Sequence, residues 1–128
     1  MTVPAIHEDD AEELALPGRR MRWLVSKDAV NAKHCSTCVI RVSPGEKVTP
    51  AHSHPNGEEV IYIIRGSGRV LVAGEVRPVR EGTAVLFPQG AVHMLHNTGR
   101  EEMKVVCFFA PATGLDNYRL YEGVDFPD

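Results

Sequence analysis

Runs of apolar and β-branched residues alternate with short polar breaks along most of this chain. Between residues 22 and 109, segments rich in Val, Ile, Thr, Phe and Tyr are separated every eight to twelve residues by Gly, Pro or Asn. This spacing is typical of an all-β sandwich or barrel, and helical periodicity is poor over the same span. We predict strands at 22–26, 34–43, 50–54, 59–65, 69–72, 76–79, 84–87, 92–97 and 103–109.

The two ends of the chain follow a different pattern. Residues 8–16 can form a short helix, since Asp9 or Asp10 can cap it and Pro17-Gly18 ends it, and a disordered arm fits equally well. We therefore expect an N-terminal arm or helix at 1–20, a β-barrel at 21–112, and a C-terminal tail at 113–128 that packs on the barrel or on a partner.

Composition and charge narrow the range of partners. The 128 residues suit one domain. With 14 basic and 17 acidic residues the net charge is −3, which gives no electrostatic case for nucleic acid. The Arg19-Arg20-x-Arg22 cluster has no aromatic interleaving and no wider basic face, so we interpret it as solvated edge residues. A small-molecule ligand or substrate is the expected partner.

The sequence also carries signals about location. The opening segment is acidic and lacks a basic start followed by an apolar run, and no stretch approaches the roughly 20 apolar residues that cross a membrane. Three cysteines without any sign of export predict reduced thiols and a cytoplasmic protein with no membrane partner. Cys35 and Cys38 form a CxxC in a strand-like run, and we interpret them as ordinary strand residues.

The candidate chemistry begins at His52 and His54. Side chains two apart in a strand lie on one face, with Cα atoms about 7 Å apart, so both imidazoles can reach one ion. The turn-rich residues 55–58 can then bring a carboxylate, Glu59 or its neighbour Glu58, back to the same side.

A second segment supplies a third imidazole. The run from Gly82 to Phe87 is an apolar strand entered through a glycine, and Pro88 with Gly90 enforces a sharp bend before His93. A bend of this kind delivers His93 to the end of a barrel, where it can meet the two earlier histidines.

Together these segments resemble the two motifs of the cupin superfamily, in its small single-domain form. The first motif is matched by Gly45, His52, His54, Glu59 and Gly66, with one departure, because six residues and not five separate Gly45 from His52. The second motif is matched at every position by Gly82, Pro88, Gly90, His93 and Asn97. The extra residue before His52 predicts a bulge near Thr49-Pro50.

The resemblance implies a small jelly-roll barrel, a double-stranded β-helix, that binds one divalent metal through His52, His54, Glu59 and His93. The six-residue spacing to Gly66 favours Glu59 over Glu58. Such a donor set suits Fe, Mn, Ni, Cu or Zn and leaves positions open for a ligand. Asn97 is expected to be a pocket or turn residue.

The metal set leaves several functions open. We expect an enzyme acting on a small oxygen-chelating molecule, dioxygenase-like, with Glu59 as ligand and possible proton acceptor. A metal-dependent isomerase or lyase acting on a sugar or keto acid uses the same site, and so does a sugar-binding cupin without catalysis. Strand alternation places Ile61 inside and Val60 and Tyr62 outside, which favours a homodimer packed sheet to sheet.

Overall fold

The computed structural model describes residues 2–128, and these form two antiparallel β-sheets joined by short turns. A single turn of α-helix, α1, spans Lys27–Val30, and 3-10 turns span Glu8–Asp10 and Leu115–Asn117. The strands are β1 (Leu14–Leu16), β2 (Arg19–Trp23), β3 (Ser36–Val42), β4 (Ala51–Ser53), β5 (Glu58–Arg65), β6 (Ser67–Val72), β7 (Glu75–Arg80), β8 (Ala84–Phe87), β9 (His93–Asn97), β10 (Met103–Ala110) and β11 (Arg119–Tyr121).

The sheets have six and five strands. The larger runs in the order β1-β2-β3-β10-β5-β8, and the smaller in the order β11-β4-β9-β6-β7. In both sheets, some adjacent strands are distant in the chain. The pairing of β3 with β10, which places Cys38 opposite Cys107, is one example. This is the jelly-roll barrel that the sequence predicts.

The core lies between the two sheets. Period-two alternation buries Ile61 and Ile63 of β5 to 2% and 0% exposure, while their neighbours Tyr62 and Ile64 stay 47% and 44% exposed. The remaining buried core residues come from both sheets and are mostly aliphatic: Met21, Cys38, Ile40, Val42, Val48, Val70, Val79, Phe87, Leu95, Met103, Val105, Cys107 and Phe109.

The predicted helix at 8–16 is wrong beyond its first turn. Only Glu8–Asp10 forms a 3-10 turn, and Leu14–Leu16 instead pairs as β1 with β2. Helix propensity is a weak preference, and hydrogen bonding to the edge of an existing sheet overrides it here. The sequence analysis therefore missed β1, and it placed β2 three residues too late.

The turn between β1 and β2 requires a glycine at position 18. Gly18 has φ +76°, in the left-handed region that favours glycine. A Cβ at this position would lie 1.6 Å from the backbone oxygen of Lys47. The β1–β2 hairpin can therefore pack this closely on the loop before β4 only because residue 18 has no side chain.

Glu8 fastens the N-terminal arm to the outer face of the larger sheet. Its carboxylate lies 3.1 Å from Arg41 Nη2 and 2.8 Å from Lys104 Nζ, and its carbonyl oxygen accepts a hydrogen bond from Arg22 at 2.8 Å. The hydrogen bond to Lys104 outweighs the opposing effect of burial and, with Arg41, lowers the pKa of Glu8. The arm thereby covers the half of this face formed by β2, β3 and β10.

The C-terminal residues pack on the smaller sheet. Phe126 is buried with Ala51, Leu71 and Met94 on the outer face of that sheet, and the Arg69 guanidinium lies 4.1 Å from the centre of its ring. β11 pairs with β4, bringing Leu120 opposite His52. Across residues 2–128, helices long and apolar enough to cross a membrane are absent.

The Glu8 contacts lead to a stability prediction. We expect Glu8→Gln to lower the free energy of unfolding at pH 7 by about 1 kcal/mol, as for other small ion-pair networks. Because folding lowers the pKa of Glu8, this contribution is present above the unfolded value of 4.5 and is lost as the pH falls through the folded value. Urea unfolding of both proteins at several pH values measures the difference. A deficit that persists unchanged at pH 2 would contradict the assignment.

Candidate metal centre

Three histidines and one glutamate meet inside the barrel. His52 lies in β4 and His54 directly after it, while Glu59 is the second residue of β5 and His93 the first of β9. One donor atom from each lies within 4.8 Å of all the others. The four residues are only 2–6% exposed. The residues that the cupin resemblance picks out are thus brought together in one buried cluster.

Local geometry explains the convergence. His52 and His93 are direct cross-strand partners, the single pair that joins β4 to β9. The His54 carbonyl accepts hydrogen bonds from Gly57 at 3.4 Å and Gly90 at 3.1 Å, which tie the turn before β5 to the bend before β9. At 49–50, where the sequence analysis predicts a bulge, the chain bends directly before β4.

The same contact recurs at all three imidazoles. Each Nδ1 faces a backbone carbonyl: His52 that of Pro50 at 3.3 Å, His54 that of Asn117 at 3.1 Å, and His93 that of Ala91 at 3.0 Å. A carbonyl oxygen only accepts, so each Nδ1 carries the proton and donates it. Each neutral ring therefore directs the lone pair of Nε2 into the cluster, as metal-binding histidines do.

In this arrangement the Nε2 lone pairs of His54 and His93 face the carboxylate oxygen of Glu59, so hydrogen-bond acceptors face one another. His54 Nε2 lies 2.9 Å and His93 Nε2 3.3 Å from the same Glu59 oxygen. The His93 contact is close but lacks hydrogen-bond geometry, and His93 Nε2 is a fully buried nitrogen with no partner. Buried lone pairs that face one another are unfavourable unless a cation lies between them. The donor atoms therefore fit one divalent metal ion.

The protonation state of His52 agrees with this fit. Burial, and after it the neighbouring His93, lowers the pKa of His52 to about 3, so that His52 is neutral near pH 7. A neutral imidazole is the form that binds transition metals.

Aromatic rings hold the imidazoles in place. Phe87 stacks on His93 with centroids 3.9 Å apart, and Phe109 meets His54 edge-on at 5.2 Å. Tyr118 stacks on His52 at 4.8 Å and meets His54 edge-on at 4.5 Å. Burial, followed by the charge of Glu59, raises the pKa of Tyr118, so its phenol stays protonated.

A pocket leads to the cluster from one side. Its cavity volume is about 30 Å³, and His52, Glu59 and His93 lie on its wall. The other lining residues are mostly apolar: Met21, Ile40, Val48, Ile61, Phe87, Leu95, Cys107, Phe109, Tyr118 and, as the exception, Arg19. The wall is therefore mainly apolar apart from the cluster residues and Arg19.

The remaining candidates lie outside the cluster. Glu58 is exposed, whereas Glu59 is buried. Asn97 is fully buried as a turn residue, since its amide donates to the carbonyls of Val42 at 2.8 Å and Glu101 at 2.9 Å. Cys35 and Cys38 are not bonded to each other.

Sequence reasoning missed three residues of this site. Arg19 belongs to the cluster that we interpreted as solvated edge residues; it is partly buried and lines the pocket, a position that interpretation did not include. Tyr118 and Cys107 also line it. Alternation from buried Met21 could have indicated Arg19, but Tyr118 comes from a tail whose path no local pattern predicts.

Fold and site together define a small jelly-roll barrel with a buried three-histidine, one-glutamate cluster. The cupin domain model matches residues 38–109, more than half of the chain, and the chain belongs to the cupin family. The family resemblance drawn from the two sequence motifs is therefore confirmed.

Three similar proteins illustrate the relationship. Protein SchB of Streptomyces halstedii is 30% identical over 103 residues, which cover 80% of this chain and 74% of SchB. Polyketide synthase CurC of Streptomyces cyaneus is 30% identical over 94 residues, which cover 73% of this chain and 60% of CurC. The structure of the polyketide cyclase RemF from Streptomyces resistomycificus shares the fold, with a TM-score of 0.76 at 21% identity, over 98% of this chain and 90% of RemF.

The cluster geometry predicts the effect of removing a ligand. We expect His52→Ala, His54→Ala or His93→Ala to lower the metal content of protein purified without a histidine tag by about tenfold or more, because each change removes a donor. The barrel should stay folded, since the core lies mainly among aliphatic residues.

Elemental analysis measures the metal, and far-UV circular dichroism checks the fold. His96→Ala is the matched control, because His96 bonds Arg69 at 2.9 Å and lies outside the cluster. Variants as metal-loaded as the wild type would refute the assignment.

Proposed function

We propose that this cupin is a mononuclear metal enzyme whose substrate is a small, largely apolar molecule that chelates the metal through oxygen atoms. The observation that carries the proposal is the convergence of four donors, three of which, His52, Glu59 and His93, lie on the wall of a mainly apolar pocket. Four protein ligands leave positions available on a six-coordinate ion.

The pocket and one relative support a substrate class. Its apolar walls suit an aromatic or alkyl body, and its polar groups gather at the cluster. CurC, 30% identical to this chain, is named a polyketide synthase. A polyketide-like phenol or β-diketone has both features, since its carbon skeleton is apolar and its neighbouring oxygens chelate.

Each group of residues has a distinct task in this proposal. The three imidazoles hold the ion, and the backbone carbonyls behind them fix the orientation of the rings. The aliphatic walls exclude water. Glu59 is the carboxylate of the cluster and accepts a proton from a substrate held beside it. A bound divalent ion supplies Lewis-acid or oxygen-activating chemistry at the chelated oxygens.

Two reaction classes fit these tasks. The first is proton transfer, as in ring closure, isomerisation or elimination. The second is the dioxygenase-like reaction expected from the sequence, and the imidazole-rich donor set is compatible with both, because imidazole suits iron, nickel and copper as well as zinc.

Two assays separate these classes. In the first, we expect zinc-loaded protein to convert 2,4,6-heptanetrione, without oxygen, to 5-methylresorcinol with release of one water. Glu59→Gln should slow this ring closure by about a hundredfold, the usual contribution of a positioned base.

In the second assay, an oxygen electrode measures oxygen uptake by iron-loaded protein in the presence of a flavonol. Oxygen uptake without any ring closure would favour the dioxygenase, and tight binding with no turnover would favour a ligand-binding cupin.

We also propose a homodimer formed through the outer face of the larger sheet. Val60, Tyr62 and Ile64 on β5 are 37–47% exposed, and Leu86 and Phe108 beside them are 48% and 41% exposed. The arm that carries Glu8 covers the charged half of this face, and no described residue covers the apolar half. A second copy suits it, because a flat apolar face is complementary to itself about a twofold axis.

Tyr62→Glu tests the dimer. A charge buried at the centre of such an interface is strongly unfavourable, so we expect the variant to be monomeric while the wild type is dimeric. Light scattering after size-exclusion chromatography gives the mass. Val76→Glu is the control, because Val76 is 40% exposed on the other sheet. A monomeric wild type would contradict the proposal.

A further inference from the structure

Arg19 stands apart from the other arginines of its strand. Along β2 the side chains alternate, and Met21 is buried in the core at 2% exposure. Arg19 is two residues away and so lies on the same, inner side, whereas Arg20 and Arg22 lie on the outer side. The outer two pair with carboxylates, Arg20 with Glu102 and Arg22 with Glu13.

The charge of Arg19 has no carboxylate partner among residues 2–128. Its Nη1 donates to the carbonyl oxygens of Pro17 at 3.1 Å and Thr49 at 3.5 Å, which hold the side chain in place. Its Nε and Nη2 make no hydrogen bond to any described residue. A guanidinium has five N–H donors in a planar fork that matches a carboxylate, so most of this binding capacity is unused.

The position of Arg19 puts it within reach of the cluster pocket. Arg19 lines the same pocket as His52, Glu59 and His93, and it also lines a second pocket with Arg20, Arg41 and Glu46. A partly buried cation on an otherwise apolar wall is unfavourable unless an anion meets it. The wall of this pocket thus carries the cluster residues and the Arg19 guanidinium among mainly apolar side chains.

We infer that Arg19 is an anion-binding subsite, and that the substrate is an organic acid that chelates the metal at one end and presents a carboxylate to the Arg19 guanidinium at the other. The inference rests on the proposed function, because it requires a metal with open positions at the cluster. It narrows the substrate class from chelating molecules in general to chelating acids. Arg19 is a specificity-determining residue that contacts the substrate away from the metal ligands.

A matched pair of probes tests this subsite. Catechol and 3,4-dihydroxybenzoate have the same two chelating oxygens, and only the second carries a carboxylate on the far side of the ring. We expect zinc-loaded wild-type protein to bind 3,4-dihydroxybenzoate about tenfold more tightly than catechol, the usual effect of a hydrogen-bonded charge pair. Isothermal titration calorimetry measures both affinities without any turnover.

Three variants make the outcome specific. Arg19→Gln should bind the two probes with about equal affinity and should still bind catechol as the wild type does. Arg19→Lys keeps the charge and should still bind 3,4-dihydroxybenzoate more tightly than catechol. Arg22→Gln is the matched control on the outer side of the same strand and should keep the full preference. All variants are first checked for wild-type circular dichroism and zinc content.

The failures of the two proposals are distinguishable. If both probes bind and the wild type shows no preference, or Arg19→Gln keeps it, the subsite is refuted and the proposed function stands. If neither probe binds the zinc-loaded wild-type protein, the open metal site is itself refuted, and the subsite with it.

Discussion

Three imidazole nitrogens and one carboxylate oxygen direct their lone pairs at one another within 4.8 Å, on side chains that are 2–6% exposed. The orientation of each imidazole is fixed, because its Nδ1 donates a hydrogen bond to a backbone carbonyl. Without a cation, such a set of buried acceptors destabilises the fold. His93 Nε2, which is buried and has no hydrogen-bond partner, is the clearest example. A cation bound between the four donors would remove this mutual repulsion.

The cluster depends on distant parts of the chain to different degrees. His52 and His93 are oriented by carbonyls only two residues away, so their geometry is local to the strand starts. His54 is oriented by Asn117, 63 residues further along, and Tyr118 beside it covers both His52 and His54. The C-terminal segment therefore completes the site as well as covering the barrel, and it narrows the approach to a pocket with an apolar wall and one cation. The orientation of the cluster and the access to it are in this way set by different parts of the molecule.

Much of the fold and the cluster follows from the sequence, for identifiable reasons. The alternation of Ile61 and Ile63 with Tyr62 is a local property of one strand, and the motif from Gly82 to Asn97 places a bend and an imidazole at fixed spacing. The failures occur where tertiary pairing decides the structure. Residues 14–16 form a strand because the edge of β2 is available to them, and Arg19 faces inward because β2 begins earlier than its apolar residues indicate. Tyr118 reaches the site through a tail whose course depends on Ser36, which bonds Thr113 at 2.8 Å.

The central claim is that three Nε2 atoms face a metal while the three Nδ1 atoms stay protonated. Long-range 15N–1H correlation spectra of the imidazoles, recorded without metal and with one equivalent of zinc, test it most directly. The account predicts that three of the six histidines keep an Nδ1 proton throughout and that their Nε2 resonances alone shift as zinc binds with a stoichiometry of one. Zinc that leaves these resonances unchanged, or that binds through Nδ1, would contradict it.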